Sequence, residues 1–249
     1  MWQHDPNQAR GPRSLSGVNR QNQELISLIV QMKAEIHSLN WPRSNPLLSQ
    51  SQSNVFRHFN IPLIRHNLQK DHGEWLDSIL NTSHADVILF VDNDCVPITK
   101  EAIIDSIIWA ASNNSFLGIA QASNHINNGT HIFAAPAFLA ISIKAWRELG
   151  KPSLKANSRG DVAEELSWRA EEKGLTYRAW YPTHFSRPAQ EGIWRLSNYG
   201  IYGVGTVFAG KVFHLYQGRL DTNVKLFRKV CDEICLNKFS TKRMHSCLN

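Results

Sequence analysis

The stretch "ADVILFVDNDCVPITKE" (residues 85–101) decides the reading of this chain. Val87 to Val91 form a continuous apolar run of the kind that predicts a strand buried on both faces. The run stops at Asp92-Asn93-Asp94. In an extended chain residues i and i+2 point to the same side, so Asp92 and Asp94 are expected to share one small volume, with Asn93 turned away. Two adjacent carboxylates repel and raise each other's proton affinity. A divalent cation removes that penalty, and Mg²⁺ and Mn²⁺ commonly bind one or two carboxylates together with substrate phosphates. The competing reading is that both aspartates cap the turn into the next helix. Pro97 and Thr99 already supply that turn, which favours the metal.

Strand and helix signals alternate on both sides of this run. "NIPLIRH", "FLGIAQA", "AFLAISI", "LTYRAWYP" and "TVFAGKVFHLY" read as strands. "GEWLDSILNTSH", "TKEAIIDSIIWAASNN", "KAWRELG", "DVAEELSWRAEEKG" and "DTNVKLFRKVCDEICLNKF" read as helices, with Gly150 and Gly174 as stops and Thr99 as an N-cap. Such alternation predicts an α/β fold with an open, mostly parallel sheet flanked by helices, Rossmann-like in character. In sheets of this kind ligands bind beyond the carboxyl ends of the strands, where Asp92 and Asp94 fall.

The segment before residue 55 reads differently. Residues 1–20 are polar and predict a disordered arm. Residues 21–39 predict a helix, with Leu25, Leu28, Ile29, Met32, Ile36 and Leu39 on one face. Residues 40–54 read as a linker-like loop. The expected organisation is an arm, helix and linker over 1–54, the α/β domain over 55–220, and a closing helix and tail over 221–249.

The 249 residues are 42% hydrophobic and 19% charged, as in a globular chain with a real core. The net charge of +6 is spread without dense basic runs, which argues against nucleic acid as a partner. No apolar run reaches the roughly 18 residues of a transmembrane span, and "MWQHDPNQARGPR" has no secretory apolar region. The expected location is the cytoplasm. Cys231, Cys235, His245 and Cys247 are weighed as a zinc site, but their spacing is not a standard zinc pattern and free thiols are favoured.

"VILFVDNDCVP" resembles the Asp-x-Asp motif of the GT-A-fold glycosyltransferases, the family 2-like group that uses nucleotide-sugar donors. "HGEWLDSIL", "AAPAFLAISIKAWRELG", "RGDVAEELSWRAEEKGL" and "FAGKVFHLYQGR" follow in the order of that family's segments, over roughly residues 55–220. The resemblance implies a GT-A-like sheet and transfer of a sugar, with inversion, from a nucleotide-sugar donor to a carbohydrate or glycoconjugate acceptor. It implies a Mn²⁺ or Mg²⁺ ion held by Asp94, with Asp92 assisting through the ion's water shell or the donor ribose. His214, in the late strand, matches the histidine that completes the metal shell in many members. Arg219 and Lys211, close to His214 in sequence, are candidates to screen the donor diphosphate.

Transfer with inversion needs a carboxylate to deprotonate the acceptor hydroxyl. Asp161, Glu164 and Glu165 are the candidates. Asp161 is preferred because it begins the predicted helix, where the macrodipole favours a negative charge. The motif's spacing leaves Glu164 and Glu165 open. The tract "FSRPAQEGIWRLSNYGIYGVG" is a candidate loop over the donor, with Trp194 and Tyr199 available to stack on sugars.

The family also begins with an apolar strand and a Thr- or Asn-containing loop that holds the nucleotide base. The sequence before residue 55 does not display that strand, so the first β-α unit reads as replaced by "ELISLIVQM" or absent. Two rival readings follow: a nucleotidyltransferase, which would carry a Gly-rich basic loop after its first strand, and a non-catalytic sugar- or partner-binding protein that keeps the fold.

Overall fold

The computed structural model describes residues 33–127, 129–188, 194–218 and 220–247. The predicted arm and most of the predicted first helix, including Leu25, Leu28, Ile29 and Met32, lie outside the described residues.

β3 (Val87–Val91) is the axis of the fold, and all five of its residues are buried. It alternates strictly between two cores. Val87, Leu89 and Val91 pack with Ile103 and Ile107, and Ile88 and Phe90 pack with Trp75, Leu76 and Trp146. A strand covered on both faces has no polar side to offer, which is why its sequence is continuously apolar.

The sheet built on it corrects the reading of residues 34–54. Ala34–Asn40 is not the end of a helix but a strand, β1, parallel to β3 on one side and to β2 (Ile64–Asn67) on the other. Residues 46–54 are not a linker but most of helix α1 (Pro46–His58), so a boundary drawn at residue 55 falls inside a helix. Asn45 caps α1, accepting a hydrogen bond from the Leu47 N–H, and Pro46 takes the first helical turn, where its missing N–H costs nothing.

In chain order the remaining elements are α2 (His72–Thr82), β4 (Cys95–Pro97), α3 (Lys100–Ser112), β5 (Phe116–Ala122), α4 (Asn124–Asn127), β6 (Ile132–Ser142), α5 (Ile143–Glu148), α6 (Glu164–Glu172), β7 (Arg178–Trp180), β8 (Pro182–Arg187), β9 (Trp194–Leu196), β10 (Gly200–Tyr202), β11 (Val204–Phe208), β12 (Val212–His214), α7 (Asp221–Cys235) and β13 (His245–Ser246). The main sheet runs β2-β1-β3-β6-β5-β7. It is mostly parallel, with β6 antiparallel to both of its neighbours. The architecture is therefore the expected mixed α/β fold, a mostly parallel central sheet flanked by helices.

A second, antiparallel sheet runs β13-β8-β11-β12-β4. It replaces two expectations. "TVFAGKVFHLY" is not one strand but the β11–β12 hairpin, turned at Ala209 and Gly210, both at positive φ. The tract expected to form a loop over the donor supplies the end of β8 and the start of β11 in this sheet and, between them, the separate β9–β10 ribbon, with residues 189–193 outside the described set. Helix α7 packs on this sheet and on α1 through Val224, Phe227 and Val55.

The four cysteines are free thiols. Among the described residues, Cys231, Cys235, His245 and Cys247 do not gather into a ligand cluster. Among the described residues no helix is long and apolar enough to cross a membrane.

Candidate functional site

Asp92 and Asp94 do converge, but a turn brings them together rather than strand alternation. β3 ends at Val91, and the Cys95 N–H donates to the Asp92 carbonyl at 2.9 Å. The turn passes the chain from the main sheet into β4 of the second sheet. There β4 pairs with β12, and His214 lies opposite Cys95 in the register. The Leu215 N–H donates to the Asp94 carbonyl at 3.0 Å. The junction of the two sheets thus places the His214 imidazole beside the carboxylates. Ligand atoms of Asp92, Asp94 and His214 all lie within 4.8 Å of one another, and His214 Nε2 is 3.4 Å from Asp94 Oδ1. Two carboxylate oxygens and an imidazole nitrogen form a donor set suited to a divalent cation.

Asn93 is not turned away. Its Nδ2 donates to Asn40 Oδ1 at 3.1 Å, and Asn40 Nδ2 donates to Asn67 Oδ1 at 2.9 Å. This asparagine ladder ties together the carboxyl ends of β3, β1 and β2. Above it opens a cleft of about 1230 Å³, walled by the β1–α1 loop (Trp41, Arg43, Asn45), by Asn93 and Asp94, and by Gln217 and Gly218. A Cβ at position 218 would stand 3.0 Å from Asp94 Oδ2, so the glycine leaves the carboxylate its space.

Three buried polar atoms around Asp94 have no hydrogen-bond partner among the described residues: His214 Nδ1, the Tyr216 hydroxyl and Gln217 Oε1. Buried polar groups are nearly always satisfied, so three such atoms gathered beside Asp94 stand out. Tyr216 packs on His214 with ring centroids 4.1 Å apart. Burial first, then its neighbours Tyr202 and Cys95 and after them the charges of Asp94 and Asp92, push the Tyr216 phenol far up, so it stays a donor.

The Asp92 turn is braced from behind by residues the sequence reading passed over. His72 Nε2 approaches Asp92 Oδ1 at 3.0 Å. Burial of Asp92 would raise its carboxyl pKa, but the His72 charge and contact overcome this and hold it below the usual range. Gln52 on α1 is completely buried. Its amide nitrogen donates to the carbonyls of Asp92 at 2.5 Å and Cys95 at 2.7 Å. Its oxygen accepts from Ser38 Oγ at 3.0 Å and from an Arg65 nitrogen at 2.8 Å. Gln52→Leu keeps the volume but strands two buried carbonyls and part of a guanidinium. It is expected to lower stability by about 2–5 kcal/mol, read as a fall in the denaturant midpoint.

The base candidates separate. Glu164 is fully buried and held by His131 Nδ1 at 2.6 Å, by the Ser123 hydroxyl and by the Asp161 backbone N–H at 2.8 Å. Glu165 is gripped at both oxygens by Arg159, each at 2.7 Å, and by Arg169 at 2.9 Å. The Arg159 bonds hold its pKa below the usual range. Asp161 stands apart. Helix α6 starts at Glu164, behind Ala163 at φ 67°, so Asp161 precedes the helix and the macrodipole argument for it fails. Its Oδ1 accepts only the Val162 N–H, at 2.7 Å, and among the described residues no ion pair holds it. Its charge reaches Tyr202, whose ring lies 5.4 Å from that of Tyr216.

Lys211 is not brought to the carboxylates. Its ammonium pairs with Asp105 at 2.6 Å and sits over the Trp180 ring, at the opposite end of β12 from His214. Arg219 lies outside the described residues. Trp194 packs against Tyr202 and Tyr216, and the Tyr199 hydroxyl donates to the Pro182 carbonyl at 3.0 Å.

No protein-family model matches the chain, and no curated protein matches it. Among solved structures it is similar to A197 from STIV, at 12% identity and a TM-score of 0.36, over 57% of this chain and 78% of that one. It is similar to the bifunctional IspDF from Campylobacter jejuni, at 11% identity and 0.36, over 60% of this chain and 49% of that one. A putative glucose-1-phosphate thymidylyltransferase from Bacillus anthracis gives 11% and 0.37, over 58% and 85%.

Proposed function

We propose that the chain is a metal-dependent glycosyltransferase that moves a sugar from a nucleotide-sugar donor to an acceptor hydroxyl, with inversion, in the cytoplasm. The observation that carries the reading is the cluster of Asp92, Asp94 and His214 opening onto a cleft at the carboxyl ends of β1 and β3. That is where open α/β sheets bind ligands. Unpartnered buried polar atoms beside the cluster fit the same use.

Asp92, Asp94 and His214 would hold the Mn²⁺ or Mg²⁺ ion, with His72 and Gln52 fixing the turn that presents Asp92. When bound, the ion supplies positive charge against the diphosphate that leaves. The loop Trp41–Asn45, directly after β1, is assigned to the nucleotide base, with Trp41 and Arg43 offering a flat ring and a planar cation. Asp161 is assigned as the general base. It takes the proton of the acceptor hydroxyl as that oxygen attacks the anomeric carbon and the bond from carbon to diphosphate oxygen breaks. A single displacement of this kind inverts the anomeric centre.

Strand β1 bears on both rivals. The non-catalytic reading rested on a missing first strand, and the presence of β1 beside β3 in the main sheet supports the catalytic reading over it. A nucleotidyltransferase would carry a Gly-rich basic loop after it, whereas "WPRSN" has no glycine and one arginine. The test is release of nucleoside diphosphate from a panel of nucleotide sugars, with and without Mn²⁺ and a mixed glycan acceptor pool. Release from at least one donor, dependent on Mn²⁺, is expected. No release from any donor with either ion contradicts the reading.

A further inference from the structure

His131 is a half-buried titratable group for which the proposed chemistry has no use. It begins the approach to β6, yet its two ring nitrogens both face helix α6. Nδ1 lies 2.6 Å from Glu164 Oε1, and Nε2 lies 3.2 Å from Glu171 Oε1. The ring stacks on Trp168 with centroids 3.6 Å apart. Arg159 covers the Trp168 ring, and the Tyr177 hydroxyl donates to Glu171 at 2.7 Å. The second Glu164 oxygen accepts from the Ser123 hydroxyl and from the Asp161 N–H. One carboxylate therefore joins three segments: the end of β5 at Ser123, the start of β6 at His131 and the backbone of Asp161.

We propose that His131 and Glu164 are positioning residues for Asp161. The imidazolium fixes the Glu164 carboxylate, and that carboxylate fixes the Asp161 backbone amide and so the direction of its side chain. An ionised acceptor makes the stronger hydrogen bond to a backbone N–H, and a doubly donating imidazolium satisfies both glutamates at once. The role of Asp161 as base rests on the glycosyltransferase reading, but the coupling of His131 to the Asp161 amide does not.

The coupling has a pH window. Burial would pull the His131 pKa down, but its hydrogen bonds to Glu164 and Glu171 and their charges hold it above the ordinary 6.5. The stabilisation is therefore full below that value and is lost as pH rises through the elevated pKa. Glu164 is held below its ordinary 4.5 by bonds from His131, Ser123 and Asp161 that outweigh its burial, so its share is lost only at acid pH. The other charged or titratable groups facing the pair are Glu171, Asp161, Arg159 and Tyr177.

The test is amide hydrogen exchange of the whole chain, expressed as protection relative to the unstructured chain at each pH. In the unaltered protein, protection at Asp161 is expected to fall about tenfold as pH rises past the His131 pKa, while amides of β3, β5 and β6 hold. His131→Gln keeps a donor that does not titrate, and should make Asp161 protection independent of pH. His131→Phe keeps the stack on Trp168 and should lower it by about ten- to a hundredfold at every pH. Should His131→Phe fail to fold, the pH profiles of the unaltered protein and His131→Gln decide. Asp161 protection that ignores both pH and substitution overturns the proposal. So does a uniform loss across all amides, which would make the pair a brace of the whole fold. If this pattern holds while no nucleotide sugar is turned over, the glycosyltransferase reading fails and the coupling stands.

Discussion

Asp94→Ala is expected to weaken Mn²⁺ binding by at least about a hundredfold and to abolish Mn²⁺-dependent nucleotide binding. Among the described residues the cluster offers three candidate ligands. One oxygen of Asp92 is already engaged by His72, so Asp94 is the carboxylate with most capacity to spare. Among the described residues its carboxylate pairs with His214, beside the space left by Gly218. Substituting an outer-shell partner of a metal ligand typically costs roughly 10–100-fold in affinity, and deletion of a ligand costs more. The variant should nevertheless fold. The backbone bond from Leu215 to the Asp94 carbonyl survives the change, and removing one of two adjacent negative charges relieves repulsion in the metal-free protein. Isothermal titration with Mn²⁺ checks the affinity. An unchanged metal-free melting temperature shows that the loss is local.

Asp161→Asn should lower kcat by about 10²–10⁴-fold while leaving the affinity for donor unchanged. The substitution is nearly isosteric. It retains an oxygen to accept the Val162 N–H, which is the one bond the Asp161 side chain makes among the described residues. What it removes is the capacity to take a proton. Glu164 and Glu165 are poor substitutes, because each carboxylate is saturated by two or more donors and held ionised in place. A steady-state comparison of kcat and donor KM distinguishes a base from a binding residue. Normal turnover in Asp161→Asn would move the role to another group.

The parts of this fold legible in the sequence are those whose partners lie nearby or are simply apolar. Val87–Val91 announces itself because a strand buried on both faces leaves no room for a polar residue. Helices α2 and α3 show clean apolar faces, and Asp92 and Asp94 stand out as charges at the end of a core strand. β1 does not read as a strand because "AEIHSLN" carries Glu35, His37 and Ser38 where a buried strand should be apolar. Glu35 and His37 contact each other at 3.0 Å, and their remaining partners and that of Ser38 lie far along the chain. His37 Nδ1 meets His66 at 2.9 Å, and the Ser38 hydroxyl donates to Gln52. No local pattern reports such partners. Ile36 and Leu39 also continue a helical spacing from Met32, so the wrong period won.

Helix α1 was missed for a related reason. Its buried face is Leu48, Ser51, Gln52, Val55 and Phe56, a helical spacing with two polar members. The signal that could have found it was the Asn45-Pro46 pair at its start. Gln52 was invisible as a site residue because its role is to hold the backbone of a turn 40 residues away. His214 could be named from the sequence, but its place beside Asp94 depends on the β4–β12 pairing. Lys211 shows the converse, since three residues along a strand are enough to remove a side chain from a site.

The claim that Asp92, Asp94 and His214 form a metal-assisted nucleotide site is tested most directly by melting the unaltered protein and Asp94→Ala side by side. Each would be melted with a panel of nucleoside diphosphates, with and without Mn²⁺. A nucleotide at a hundred times its dissociation constant stabilises by about 2.7 kcal/mol, or roughly 5–10 °C for a chain of this length. The predicted result is a rise of that size for at least one nucleotide, present only with Mn²⁺ and absent in Asp94→Ala. No rise with any nucleotide, or an equal rise in both proteins, would contradict it.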